Sequence, residues 1–282
     1  MTDSTLPAST RLGRVALRVE DLDAMVAFYR DVVGLAVLDR DTAHATLGAG
    51  EEPLLELLGD TDVQPRERTE AGLYHSAFRV PSRAALGDAL RRIRDGWRLD
   101  GASDHLVSEA LYCTDPEGNG VEVYCDRPRE AWPRHDDGSI QMATDGLDLD
   151  ALLAEAGGGS QAPPATDLGH VHLEVQSLEA AQSFFVDELG FAVTVDTYPS
   201  ALFVSAGGYH HHVGLNTWQG RSSPVRESSR GLAWFEVVVP DTTTLREIRD
   251  RLSGGEHLVG ERDDGFEVTG AAGIHVRVRA VE

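Results

Sequence analysis

Residues 112–124 read Tyr112-Cys113-Thr114-Asp115-Pro116-Glu117-Gly118-Asn119-Gly120-Val121-Glu122-Val123-Tyr124. Asp115 to Gly120 is dense in turn formers: proline presets φ, and glycine or asparagine accepts positive φ. Beyond the turn, Val121 and Val123 alternate with Glu122 and Tyr124, the period-two pattern of a strand with one apolar face. The stretch is therefore strand, tight turn, strand. Its other face carries a carboxylate and a phenol. A lone glutamate on a strand is ordinarily a solvated surface residue, so Glu122 has a function only if partners meet it.

The partners come from repeats. Leu12-Gly13-Arg14-Val15-Ala16-Leu17-Arg18-Val19 returns as Leu168-Gly169-His170-Val171-His172-Leu173-Glu174-Val175. Apolar residues at helical spacing follow each copy, over 21–33 and 177–189. Both helices stop at a glycine before an apolar residue, Gly34-Leu35 and Gly190-Phe191, the signature of a C-cap. A second pair matches Gly72-Leu73-Tyr74-His75-Ser76-Ala77-Phe78-Arg79-Val80-Pro81 with Gly231-Leu232-Ala233-Trp234-Phe235-Glu236-Val237-Val238-Val239-Pro240. Helices near 83–95 and 242–252 follow, and paired strands close both copies. The chain is thus four βαβββ modules at 11–60, 72–126, 168–218 and 231–281. Residues 1–10 read as a flexible tail. Residues 127–167 read as a linker with a short helix at 147–156, then Gly157-Gly158-Gly159 and Pro163-Pro164, a natural hinge. The fold class is α+β: one module leaves a sheet face open, and two together can close a curved sheet around a cup.

The bulk numbers exclude several function classes. The chain has 282 residues and a formal net charge of −22, which disfavours nucleic acid and anionic membranes as partners. No apolar run reaches the length of a transmembrane helix, and residues 1–9 lack the pattern of a secretory signal. Cys113 and Cys125 fall in separate strands, so a disulfide framework is not expected and a cytoplasmic location fits.

The words LGHVHLEV at 168–175, GLYHSAFRVPSR at 72–83, DPEGNGVEVY at 115–124 and LFVSAGGYHHHVGLNTW at 202–218 resemble the vicinal oxygen chelate superfamily, which holds glyoxalases, bleomycin resistance proteins and extradiol dioxygenases. Within it the chain resembles the catechol 2,3-dioxygenase-like branch. The resemblance spans nearly the whole chain.

Strand parity identifies inward residues without the family. Val171, Leu173 and Val175 pack on the helix, so His170, His172 and Glu174 face the concave side. The same reading turns His75 and Ala77, Glu122 and Tyr124, and His210 and His212 inward. The first-strand position holds Arg14, His75, His170 and Trp234 in modules one to four. The last-strand position holds Glu56, Glu122, the histidine run and Arg277. Pairing in chain order would leave each cup with a broken ligand set. Pairing two with three, and one with four, gives one cup His75, His170 and Glu122, the two-histidine, one-carboxylate facial triad of non-haem iron chemistry. Glu56 then reads as a salt-bridging structural residue in a cup with Arg14 and Arg277.

The resemblance implies Fe(II), or Mn(II) in some relatives, binding a catechol-type diol through both oxygens, with O2 as co-substrate. It implies that Tyr112 hydrogen-bonds the diol, that His105 stands nearby with Asp104 able to orient it, and that His212 acts as acid–base, with His211 the alternative if the register slips by one. His172 reads as a residue behind the ligands or a wall of the cup. Two rival readings stand beside ring cleavage. A glyoxalase-like lyase or transferase wants a fourth protein ligand and a second carboxylate. A small-molecule binding or resistance protein needs no triad. A homo-oligomer is compatible with the acidic surface and the sheet edges.

Overall fold

The computed structural model describes residues 5–253, 257 and 259–281. The described elements run in chain order as follows. Module one is β1 (Arg11–Val19), α1 (Leu22–Phe28), β2 (Ala36–Arg40), β3 (His44–Ala49) and β4 (Glu52–Gly59). Module two is β5 (Gly72–Arg79), α2 (Arg83–Gly96), β6 (Gly101–Asp104), β7 (Ser108–Thr114) and β8 (Gly120–Asp126). The linker adds β9 (Asp145–Gly146) and α3 (Leu149–Ala154). Module three is β10 (Asp167–Glu174), α4 (Leu178–Gln182), β11 (Ala192–Val195), β12 (Ala201–Ser205) and β13 (Val213–Asn216). Module four is β14 (Gly231–Val239), α5 (Thr242–Leu252), β15 (Val259–Arg262), β16 (Gly265–Thr269) and β17 (His275–Ala280). Both α1 and α4 run on into a π-helical turn, Tyr29–Val33 and Ser183–Glu188, before their left-handed glycines Gly34 (φ 94°) and Gly190 (φ 92°). Among the described residues no helix is long and apolar enough to cross a membrane.

The strands form two sheets, ordered β15-β16-β17-β14-β1-β4-β3-β2 and β11-β12-β13-β10-β5-β8-β7-β6-β9. This order is consistent with module two pairing with three and module one with four. By contact density the chain divides into two compact units. One holds Ala16–Val63 and His75–Gly169; the other holds Met1–Val15, Gln64–Tyr74 and His170–Glu282.

In the first unit the opening stretch is a structural hub. The Asp115 carboxylate accepts from the Glu117 and Asn119 amides, the Asn119 side chain and the Tyr29 hydroxyl. Burial raises its pKa against these bonds. Glu117 accepts from the amides of Glu20 and Asp21, so the turn seats itself at the start of α1. Burial pushes the Cys113 thiol up to about 12 and the Cys125 thiol to about 11. Both are free and buried, and neither is a thiolate at neutral pH.

The segment read as a hinge is packed down. Leu152 of α3 is fully buried, and Trp132 donates its ring N–H to the Arg127 carbonyl. The glycine run crosses the Asp88 carboxylate, which accepts from the Gly158 and Gly159 amides at 2.7 and 2.9 Å. Glycine therefore serves here for close approach and for a positive φ at Gly158, rather than for slack. Of the expected tail, residues 1–4 lie outside the described residues. Leu6 is buried and its amide donates to the Gly190 carbonyl.

Tyr124 is wholly buried beside Ala77 and Ala110. A Cβ at Gly169 would overlap the Tyr124 hydroxyl. Gly169→Ala should therefore cost about 1–3 kcal/mol by overpacking, and Tyr124→Phe should relieve part of it. Urea denaturation of both single variants and the double variant checks this; an additive double variant would refute the clash.

In the second unit Glu236 is buried on β14 and bonded to Arg14 through Nε (3.2 Å) and Nη2 (2.6 Å). Burial works to raise this carboxyl, but the Arg14 hydrogen bonds and the charges of Arg14 and Arg279 outweigh it and hold it below its ordinary range. A depressed carboxyl stabilises the fold above its unfolded pKa and stops doing so as pH falls through the folded value. Glu236→Gln should thus flatten the acid limb of the stability curve without moving the alkaline limb, as thermal melts from pH 7 down to pH 3 will show. Arg277 lies over the Trp234 ring at 3.6 Å and bonds Glu267. Glu56, in the other unit, pairs with His44 and accepts from Thr46. Glu56 is expected in a cup with Arg14 and Arg277; these two partners, His44 and Thr46, lie in its own module.

Candidate metal centre

β5 and β8 run parallel with His75 opposite Gly120 and Ala77 opposite Glu122. Both side chains leave the same face. His75 Nε2 lies 3.0 Å from Glu122 Oε2, with the residues 7% and 3% exposed. Burying a carboxylate against an imidazole is costly unless other groups or an ion complete the pair.

β7 places Tyr112 directly opposite Glu122, and its ring centroid is 5.8 Å from that of His75. The Tyr112 hydroxyl is 2.7 Å from His105 Nε2, and His105 Nδ1 is 2.7 Å from the Ala143 carbonyl oxygen. A carbonyl only accepts, so Nδ1 carries a proton. In the neutral ring Nε2 then accepts from the Tyr112 hydroxyl. Leu106, just after His105, has φ 69°, a strained value for leucine. Asp104 does not orient His105: one carboxylate oxygen accepts from Arg127 and the other from the Leu106 amide. That work falls to Ala143, in the linker, where a backbone carbonyl leaves no mark in the sequence.

In the other unit, His170, His172 and Glu174 alternate along β10 as parity predicts, each at most 4% exposed. The histidine run departs from the expectation. β13 begins only at Val213, because Gly207 and Gly208 turn left-handed (φ 61° and 66°) and break the strand. As a result His211 lies against His170, with ring centroids 4.1 Å apart. Its Nδ1 is 2.8 Å from that of His210. His212 instead accepts from the Ala206 amide through Nδ1 and packs against Tyr209. Of the two candidates, His211 thus packs on the His170 ring, while His212 is held by the Ala206 amide.

The ligand atoms of His75, Glu122 and His170 all lie within 4.8 Å of one another, and all three residues are buried. Two donors bound cis to one ion at ~2.1 Å stand ~3 Å apart, the spacing already present between His75 and Glu122. Two imidazoles and one carboxylate form a donor set suited to a divalent first-row ion. The residues fit the group that the sequence implied.

Repeated βαβββ modules carrying a buried two-histidine, one-carboxylate cluster define a candidate metal-binding protein of the glyoxalase type of fold. The chain belongs to the Glyoxalase/Bleomycin resistance protein/Dioxygenase superfamily, whose family model matches residues 11–123. It is 39% identical over 272 residues to the catechol-2,3-dioxygenase of Bacillus subtilis (strain 168), covering 94% of this chain and 95% of that protein. It is 34% identical over 125 residues to biphenyl-2,3-diol 1,2-dioxygenase 3 of Rhodococcus globerulus, 43% of this chain and 66% of that one. Among solved structures, a putative dioxygenase from Bacillus subtilis superposes with a TM-score of 0.66 at 11% identity, covering 98% of this chain and 86% of that one. Glyoxalase I from Zea mays gives 0.59 at 17% identity, covering 96% and 92%. At those identities the two structures speak to the fold alone.

Proposed function

We propose that this chain is an extradiol ring-cleavage dioxygenase: it takes a catechol-type diol and O2 and breaks the ring bond beside the diol, with both oxygen atoms entering the product. The observation that carries the reading is the buried His75–Glu122–His170 cluster; similarity to a catechol-2,3-dioxygenase over nearly the full chain supports it. His75, His170 and Glu122 hold the ion, which we assign as Fe(II). A bound ferrous ion would supply the electronic path between diol and O2 that neither reaches alone. Three protein donors would hold such an ion and let it take substrate as well.

The remaining residues orient and move protons. Tyr112, with its proton directed to His105, would accept from a diol hydroxyl and so fix the ring's approach. His105, held upright by the Ala143 carbonyl, takes up or returns that proton at Nε2. His211, whose Nδ1 is engaged by His210, would exchange a proton on the His170 side. The burial of His75, Glu122, His170 and His211 excludes water around them and strengthens their interactions.

Protein prepared anaerobically, loaded with Fe(II) or Mn(II) and mixed with catechol and O2 tests the reading. The expected result is a yellow ring-opened semialdehyde with one O2 consumed per diol. Oxygen uptake without ring opening, or a metal-loaded protein inert to all catechols, would refute it.

A further inference from the structure

The eight-stranded sheet carries the counterpart of the metal centre with its charge reversed. In β5 and β8, Ala77 pairs with Glu122, two residues beyond His75. In β14 and β17, Glu236 pairs with Arg277, two residues beyond Trp234. Tyr112 stands opposite Glu122, and Glu267 stands opposite Arg277. The sequence repeat sets Arg14 of β1 against His170 of β10. The positions that hold His75, Glu122 and His170 in one sheet therefore hold Trp234, Arg277 and Arg14 in the other. These three converge as well. The guanidinium carbons of Arg277 and Arg14 lie 3.6 and 5.7 Å from the centre of the Trp234 ring. All three belong to one compact unit. Where one copy presents a carboxylate to a cation, the other presents guanidiniums.

The acids on this face are already engaged. Val276 and Val278 are buried, so His275, Arg277 and Arg279 share the opposite face of β17. Glu267 accepts from Arg277 Nε at 2.6 Å through one oxygen, and its other oxygen lies 3.1 Å from His275 Nδ1. Glu236 gives both oxygens to Arg14, and one of them also accepts from Arg279 Nε at 3.5 Å. Arg14, Arg277 and Arg279 thus outnumber Glu236 and Glu267, in a chain whose net charge is −22. Among the described residues, the Nη groups of Arg277 and Arg279 donate no hydrogen bond. Yet these side chains are only 19% and 22% exposed. Burial, joined by the charge of Arg262, holds the Arg277 guanidinium below its ordinary range despite Glu267. The buried Trp234 ring gives that guanidinium a floor. A partly desolvated guanidinium with spare donors in a rigid fork matches an oxyanion in bidentate fashion.

We infer that this face is an anion site, where the Nη edges of Arg277 and Arg279 take a small oxyanion, a carboxylate or inorganic phosphate. The two residues alternate on β17, ~6–7 Å apart along the strand. The site does not depend on the ring-cleavage reading. A strongly acidic protein repels anions in general, so saturable uptake of one oxyanion per chain is a local property of these guanidiniums.

The test is calorimetry on the full chain at constant ionic strength, with inorganic phosphate and benzoate titrated separately. The wild type should show one saturable site, and the tighter of the two anions identifies the source. Arg277→Gln and Arg279→Gln should each weaken binding about tenfold or more. Glu267→Gln removes a competing carboxylate beside Arg277 and keeps its size, so it should tighten binding about tenfold. A purely structural ion-pair network would give no such gain. Circular dichroism checks that the variants fold. Arg279, with a single long contact to Glu236, keeps the test open if Arg277→Gln does not fold. No saturable binding of either anion would overturn the site. So would unchanged affinity in the folded arginine variants, or a Glu267→Gln protein that binds no more tightly than the wild type.

Discussion

Glu122→Ala should leave a folded protein that no longer retains a divalent ion and no longer opens a catechol. The carboxylate supplies the only negative charge in the cluster of His75, Glu122 and His170. Without it, two neutral imidazoles must balance a dication in a buried site, where uncompensated charge is most costly. Loss of a group that merely supports a ligand weakens metal binding about 10–100-fold, so loss of a ligand should exceed about 100-fold. The fold should tolerate the change, because Glu122 lies in the middle of β8 and its backbone ladder to β5 and β7 does not depend on the side chain. Metal content after anaerobic Fe(II) loading, read beside circular dichroism, is the measurement. Full metal content and turnover in the variant would sink the assignment of the centre.

Tyr112→Phe should do the opposite to the ion and nearly the same to the rate. The ring remains beside His75, so the ligand is still packed and metal content should stay near that of the wild type. What is lost is the hydroxyl that bridges His105 and the diol. Positioned proton transfer contributes about 10²–10⁴-fold, and the fall in kcat should lie in that range. Because Tyr112 and His105 act through one hydrogen bond, Tyr112→Phe and His105→Ala should not add, and the double variant should be little slower than the worse single one. Strict additivity would mean that the two side chains work independently, and the relay would have to be abandoned.

Much of this was legible from period-two alternation, which depends only on backbone geometry. Parity alone placed His75, Glu122 and His170 on inward faces, and the strand order is consistent with the pairing that the ligand census demanded. The turn at 115–119 was legible as a turn, but its docking on α1 through Glu117 was not, since that contact joins residues far apart in the chain. The histidine run lies outside a regular strand for a local reason. Two left-handed glycines precede it, and parity fails wherever the chain leaves the extended region. The linker's glycine run was ambiguous in the sequence. Glycine signals either slack or close approach, and only the Asp88 carboxylate decides which.

The Ala143 carbonyl also has a consequence for dissecting the gene. A fragment ending at Asp126 would contain His75, Glu122, Tyr112 and His105 and look, by its side chains, like a complete half-enzyme. It would lack the strand that lines up beside Ser103 and Asp104, and with it the acceptor that fixes which His105 nitrogen bears hydrogen. Any truncation, fusion or permutation meant to preserve chemistry should therefore keep residues 127–146 with the module that precedes them.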